Sequence, residues 1–373
     1  MPIVTKHAKP MTADDLIGDG ALLRGLVDAW PIDASVALDT EFVRERTYYP
    51  RLCLVQVATA DRLALIDPLA IADPGPLVGL LADARRPKLL HAARQDLEAL
   101  LPLTGAPLRP VFDTQMAAAL LGFPVQIGYA DLVRQVLGVE LIKGHARTDW
   151  AQRPLSPEQL AYARDDVRYL PALAAILDAR LTEAGRRGWM DEESAALADI
   201  ALYRVEPAEA WRRLKGIERL APADQGALRA LARWREQRAM DRDLPRGWVL
   251  TDAALFEIAQ ARPRTREELS RIVGVPQVTA SRAGDDILAA LAARSETPDG
   301  PNVEDPVRGR PGELRRLKTL RQRLLAVAEE LQLQPEVLAT RRDLAALVRG
   351  ERELPVLSGW RRDVIGEPLL AAL

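Results

Sequence analysis

Three stretches decide the fold of this 373-residue chain: Val36-Ala-Leu-Asp-Thr-Glu-Phe42, Leu52-Cys-Leu-Val-Gln-Val-Ala58 and Leu63-Ala-Leu-Ile66. Each is a short apolar run of strand length and pattern. The intervals between them are too short for a crossover helix, so the three pair as an antiparallel meander. After a helix predicted near 76–84, Lys88 to Ala92 reads as a short buried strand and Gln95 to Leu101 begins a helix. Val111 to Asp113 is strand-like, and helices follow near 114–121 and 129–137. This alternation predicts an α/β unit, a mixed sheet flanked by helices.

Ser156-Pro157-Glu158-Gln159 marks the start of a long helix predicted to run to about Arg186. Ser156 caps, Pro157 suits the first helical position, and Gln159 completes a capping box. From about residue 187 strand patterns vanish and the chain reads as helices alone. Within that half, Glu296 to Gly312 gathers Pro, Gly, Asp and Asn as a linker would. Around it Leu228-Arg-Ala-Leu231 recurs as Leu317-Lys-Thr-Leu320, and Val249-Leu250 before Leu255 recurs as Val337-Leu338 before Leu344. A duplicated small helical domain explains the recurrence.

Composition narrows the chemistry. Cys53 is the only cysteine, which excludes a disulfide framework and a Cys-based zinc module, and three histidines (His7, His91, His145) are too few and scattered for a His-rich site. Any metal is then held by carboxylates. The N-terminus lacks the apolar core of a signal peptide and no apolar run approaches ~20 residues, so no membrane association and a cytoplasmic location are expected. The net charge of −2 conceals an asymmetry: residues 1–200 are acidic on balance and residues 201–373 basic. Arginine dominates the cations, which suits phosphate but follows equally from a G+C-rich genome. No GxxxxGK[ST] phosphate loop occurs.

Three acidic motifs stand out. Asp39 and Glu41 are two apart on a strand, so both leave one face while Leu38 and Thr40 leave the other. At ~4 Å and an effective dielectric near 20, such a pair costs about 4 kcal/mol unless a cation joins it or water solvates it. Asp96 lies in the first turn after a strand ending at His91, where simple capping also favours a carboxylate. Tyr162 and Asp166 are four apart and share a helix face, with Asp165 turned about 100° away.

Taken together, Asp39-Thr-Glu41, His91 to Asp96 and Tyr162-Ala-Arg-Asp-Asp166 resemble the three motifs of the DEDD superfamily of 3'-to-5' exonucleases, in the subgroup whose third motif carries Tyr. Arg46-Thr-Tyr-Tyr-Pro-Arg-Leu-Cys-Leu-Val-Gln56, Phe112-Asp-Thr-Gln115 and Arg147-Thr-Asp-Trp-Ala-Gln-Arg-Pro-Leu155 are similar to the ribonuclease D family. Trp234-Arg-Glu-Gln-Arg238, Leu255-Phe-Glu-Ile-Ala259 and Pro263-Arg-Thr-Arg-Glu-Glu-Leu269 resemble its HRDC (helicase and RNase D C-terminal) domain. Gly274-Val-Pro-Gln stands where related domains carry a Gly-x-Gly turn, so a hairpin contact to phosphate is not expected there.

The resemblance implies a ribonuclease H-like mixed sheet flanked by helices, followed by two all-α HRDC-like domains. Its expected divisions are a 3'-5' exonuclease domain at 1–186, a connecting segment at 187–208, the first HRDC domain at 209–295, a linker at 296–311 and a divergent second domain at 312–373. It implies trimming of 3' ends of precursor tRNA and other structured RNAs, with release of nucleoside 5'-monophosphates. Two divalent cations, magnesium or manganese, are implied on Asp39, Glu41, Asp96 and Asp166. Tyr162, a phenol too weakly acidic to act as a base at neutral pH, is expected to orient the attacking water. Lys143, Trp150 and Arg153 are candidate substrate contacts, and Arg212, Arg213, Lys215, Arg229, Arg233 and Arg235 a candidate phosphate stripe. No obligate protein partner is expected. The alternatives are a DNA-directed member of the superfamily and a non-catalytic RNA-binding protein on the same fold.

Overall fold

The computed structural model describes residues 16–31, 33–141, 144, 148–293 and 311–373. Lys143, His145 and positions 296–310 of the expected linker lie outside the described residues.

The chain opens with β1 (Leu16–Ile17) and α1 (Gly20–Asp28) and then enters the meander of β2 (Val36–Val43), β3 (Arg51–Ala58) and β4 (Leu63–Ile66). Next come α2 (Gly75–Ala82), β5 (Lys88–Leu90), α3 (Arg94–Thr104), β6 (Val111–Asp113), α4 (Thr114–Leu120) and α5 (Tyr129–Leu137). The six strands lie in the order β1-β4-β3-β2-β5-β6. β3 runs antiparallel to both β2 and β4, as the short connections require. The outer pairings, β1 on β4, β5 on β2 and β6 on β5, are parallel and arise through helical crossovers or longer connections. β2 is therefore central. On one face Leu38, Val55 and Val57 pack with Leu97 and Leu100 of α3. On the other, Cys53, Leu54 and Leu65 meet Leu160 and Ala163, on the helix that follows.

That helix departs from expectation. Residues 157–183 form α6 (Pro157–Arg168) and α7 (Leu170–Glu183), with a joint at Tyr169. The capping box at Ser156 and Gln159 is present. Pro171, in the first turn of α7, has no N–H to extend α6. The Asp165 carbonyl and Tyr169 N–H, which would bond each other in a continuous helix, both turn to the Tyr129 hydroxyl: it donates to Asp165 O (3.2 Å) and accepts from Tyr169 N (3.3 Å). A residue of α5 thus fixes where α6 stops, at the residue before Tyr169.

After α8 (Arg187–Ala196) the chain is helical. α9 (Pro222–Asp241), α10 (Arg246–Val249), α11 (Asp252–Ala261), α12 (Arg266–Ser270) and α13 (Gln277–Ala293) enclose their own core, including Leu228, Leu231, Leu255, Ile258 and Ile287. α14 (Pro311–Glu330), α15 (Pro335–Leu338) and α16 (Arg341–Val348) follow, with short turns to Leu370. The recurrence seen in the sequence extends to structure. α9 and α14 are 20-residue helices, α10 and α15 single turns of four, and α11 and α16 are both capped by threonine, Thr251 and Thr340. Each pair starts 89 positions apart (222 to 311, 246 to 335, 252 to 341). Left-handed Asp243 and Gln332 recur at the same spacing.

The two helical segments meet the sheet unit differently. Leu320, Leu324 and Leu338 share one continuous core with Leu120, Leu173 and Met190. Arg186 fastens this junction by donating to Leu120 O and Leu331 O. Gly122 permits it, because a Cβ there would lie 2.5 Å from the Gln332 carbonyl oxygen. The first helical segment is latched through Tyr48, which packs in a small separate cluster with Ala239 and Val249 and donates its hydroxyl to Glu236 (2.5 Å), while the Tyr48 and Tyr49 N–H groups donate to Asp243.

Candidate active site

Strand pleating puts Asp39 and Glu41 on the face that α6 covers, where their β3 partners are Gln56 and Leu54. Helical spacing aligns Tyr162 and Asp166 on that helix. As a result Asp39, Glu41 and Asp166 converge, each offering a carboxylate oxygen within 4.8 Å of the others. The Tyr162 hydroxyl donates to Asp166. Gln56, buried in β3, reaches Asp39 Oδ2 at 3.5 Å.

Asp96 enters from the opposite face. β2 pairs with β5 only at Val36 and Ala37, so its edge is open at Thr40. Asp96 occupies that opening and accepts from both the Thr40 backbone N–H (3.2 Å) and its hydroxyl (2.6 Å). The turn that aims α3 is itself clamped. Asp113 caps α4 through the N–H groups of Gln115 and Met116, and also accepts from Ala92 and Ala93. Ala92 is left-handed (φ 57°), a conformation these bonds hold in place. His91 is tied to Thr114 Oγ1 and the Ile127 carbonyl, both at 3.0 Å, which makes it a packing residue of this turn.

Burial dominates the electrostatics of the acids. It raises Asp39, with Asp166 adding to the shift. Glu41 is raised to about 9 by burial and then by Asp39, Asp166 and Asp96. Asp96 is raised by burial and Asp39. Asp166 goes to about 7 through burial and Asp165, opposed by the Tyr162 hydrogen bond. Burial followed by the nearby carboxylates also raises Tyr162, so its phenol stays protonated and acts as a donor. One carboxylate oxygen, Asp166 Oδ2, is buried with no hydrogen-bond partner among the described residues. An orphan acceptor among converging hard oxygen donors suits a divalent cation of the magnesium or manganese type.

These shifts have a sign. Because the folded pKa values are raised, the acids favour folding while protonated, and that contribution is lost as pH climbs from the ordinary carboxylate range through about 7 for Asp166 and about 9 for Glu41. A cation that needs the ionised oxygens reverses the trend. The rise in Tm on adding magnesium or manganese is therefore expected to be several degrees larger near pH 8.5 than near pH 6. Melting curves with and without chelator at both pH values check this, and a pH-independent rise would contradict it.

The flanking candidates divide. Trp150 is buried against Leu160 and Ala163, its ring centroid 6.2 Å from that of Tyr162, so it packs behind the tyrosine. Arg153, a candidate substrate contact, acts as a fastener in this structure. Its five N–H groups are all engaged within the chain: two with Asp67 (2.6 and 2.8 Å) and one each with the carbonyls of Cys53, Trp150 and Gln152. The basic stripe is also broken. Arg229 is buried over the Trp211 ring, and Arg235 is buried on Leu250 O and Asp252, which leaves Arg212, Arg213, Lys215 and Arg233 exposed. Thr40, Gln56, Asp113 and Tyr129, to which the sequence reading gave no role, act through hydrogen bonds 17 to 56 positions apart; the first three lie inside stretches that carry the family resemblance, and Tyr129 lies in none of them.

Comparison with known proteins agrees with this geometry. Residues 21–182 match a family described as "3'-5' exonuclease", and residues 224–291 match the HRDC domain. A ribonuclease D of Pseudomonas paraeruginosa is 40% identical over 364 residues, covering 96% of this chain and 96% of that protein. A ribonuclease D of Gluconacetobacter diazotrophicus is 41% identical, covering 94% of this chain and 90% of that protein. The chain belongs to the ribonuclease D family. It is accordingly a hydrolase, a 3'-5' exoribonuclease. The crystal structure of Escherichia coli RNase D, "an exoribonuclease involved in structured RNA processing", superposes with a TM-score of 0.86 at 32% identity, covering 96% of this chain and 98% of that one. Among the described residues no helix is long and apolar enough to cross a membrane.

Proposed function

We propose that this ribonuclease D family member shortens the 3' ends of precursor tRNA and other structured RNAs one nucleoside 5'-monophosphate at a time, using two divalent cations, magnesium or manganese. The observation that carries the reading is the convergence of Asp39, Glu41 and Asp166 within 4.8 Å, joined by Tyr162. When bound, the cations supply an activated water and offset the charge of the phosphate and the leaving 3' oxygen. Asp39, Glu41 and Asp166 would hold the cation that serves the attacking water, and Asp39 with Asp96 would hold the one that serves the leaving oxygen. Thr40 fixes Asp96 in its rotamer through two hydrogen bonds, so that this carboxylate is preorganised. Tyr162, whose neutral hydroxyl donates to Asp166, aims the water by accepting a hydrogen bond from it. The chain divides, in this proposal, into the nuclease at 1–186, a connection at 187–208, an HRDC domain at 209–295, a linker at 296–311 and a duplicate at 312–373 that the 89-residue recurrence supports.

A tRNA transcript carrying a 3' trailer, the mature tRNA and a DNA of the trailer sequence separate this reading from its rivals. The trailer is expected to shorten stepwise and the DNA to persist at least tenfold longer, because the ribose 2'-hydroxyl distinguishes them. Faster degradation of the DNA would favour the DNA-directed alternative.

A further inference from the structure

A cleft of about 390 Å³ opens between the nuclease unit and the first helical segment. Arg44 and Arg94 line it from one side and Arg213 and Arg246 from the other, with Tyr48 between; the lining includes one carboxylate, Glu98. Glu98 is paired with Arg44 at 2.7 Å. Arg246 lies 3.7 Å from Glu236, the acid that takes the Tyr48 hydroxyl, and Arg94 reaches the Leu202 carbonyl at 3.3 Å. Arg213 is exposed and makes no ion pair among the described residues. Arg44, Arg94 and Arg246 thus each have a partner within the protein, and the cleft sets four guanidiniums against two carboxylates, Glu98 and Glu236; the surplus positive charge, with the exposed planar fork of Arg213, suits a phosphate.

The cleft adjoins the acids through the chain itself. Arg44 follows Glu41 by three residues, just past the end of β2, and Arg94 precedes Asp96 by two at the start of α3. At ~3.3 Å per extended residue Arg44 lies within about 10 Å of Glu41 along the backbone, so a strand whose 3' end sits among the acids reaches the cleft within a few nucleotides. From this we infer that the cleft grips backbone phosphates of the substrate RNA a few nucleotides 5' of the scissile bond, so that the first helical segment and the nuclease unit hold the strand jointly. This rests on the exoribonuclease reading above. It differs from the outer stripe expected from the sequence, since two of the four arginines belong to the nuclease side.

The test compares hydrolysis of a dinucleotide RNA, which ends before the cleft, with an RNA of about fifteen nucleotides, using full-length wild type, Arg213→Glu, Arg213→Lys and Arg94→Ala. The ratio of kcat/KM for long over short RNA is expected to fall roughly tenfold in Arg213→Glu and in Arg94→Ala. In binding measurements on the long RNA, the slope against log salt should shrink by about 0.7 for each phosphate the variant no longer neutralises. Arg213→Lys, which keeps the charge, should restore most of both. Unchanged ratios and slopes, or equal losses on the two RNAs, overturn the proposal. Should wild type leave both RNAs intact, the exoribonuclease reading fails instead, an outcome distinguishable from failure of the cleft.

Discussion

Asp39→Asn is expected to lower 3'-end hydrolysis at least about a thousandfold, since the several kcal/mol a cation contributes to the transition state converts at 1.36 kcal/mol per tenfold. Asp39 is the acid assigned to both cations, so its loss weakens both sides of the displacement at once. Unfolding does not account for such a loss. Asp39 is held above the usual carboxylate range by burial and by Asp166, so a neutral amide of the same shape relieves repulsion in the cation-free protein. Its Tm without metal should equal or exceed that of wild type, while the rise on adding magnesium or manganese should disappear. RNA binding in chelator should change less than threefold, because the arginines that meet phosphate lie elsewhere. Full activity in the Asp39→Asn protein would remove Asp39 from the site.

Tyr162→Phe carries the second large effect, a fall in turnover of about a hundredfold, the scale expected when a reacting group is no longer aimed. Phe preserves the ring that packs beside Trp150 and removes the hydroxyl that donates to Asp166. Losing that donor lets the Asp166 carboxyl rise further, so cation affinity should weaken at pH below about 7 and match wild type near pH 8. The two readouts separate the roles. If turnover and cation binding fall together near pH 8, Tyr162 serves as a prop for Asp166 and not as a guide for the water.

The pattern of what the sequence made legible has a physical basis. Asp39 with Glu41, and Tyr162 with Asp166, are readable because strand and helix periodicity dictate shared faces with no knowledge of the partner. The capping box at Ser156 and the meander are readable for the same local reason. The joint at Tyr169 is not, although Pro171 hints at it, because Tyr129 sits 40 positions away and bonds to backbone. Thr40 looks like an outward residue of the opposite face. Its importance comes from β5 ending early, which leaves its N–H for Asp96. Arg153 and Arg235 carry the same charge as phosphate-binding arginines, and only the fold reveals that Asp67, Asp252 and several carbonyls occupy them. Arg213 reads from sequence as part of an exposed helix face, whereas it stands at a cleft whose other wall comes from the nuclease unit.

The central claim is that carboxylates on β2, α3 and α6 hold divalent cations that remove nucleotides from an RNA 3' end. The direct measurement is a time course on 5'-labelled RNA with magnesium or manganese, with chelator, and with cation restored. The account predicts a ladder descending one nucleotide at a time from the 3' end, with nucleoside 5'-monophosphates released, arrest in chelator and resumption on restoring the cation. Undiminished degradation in chelator, or internal fragments in place of the ladder, would contradict it.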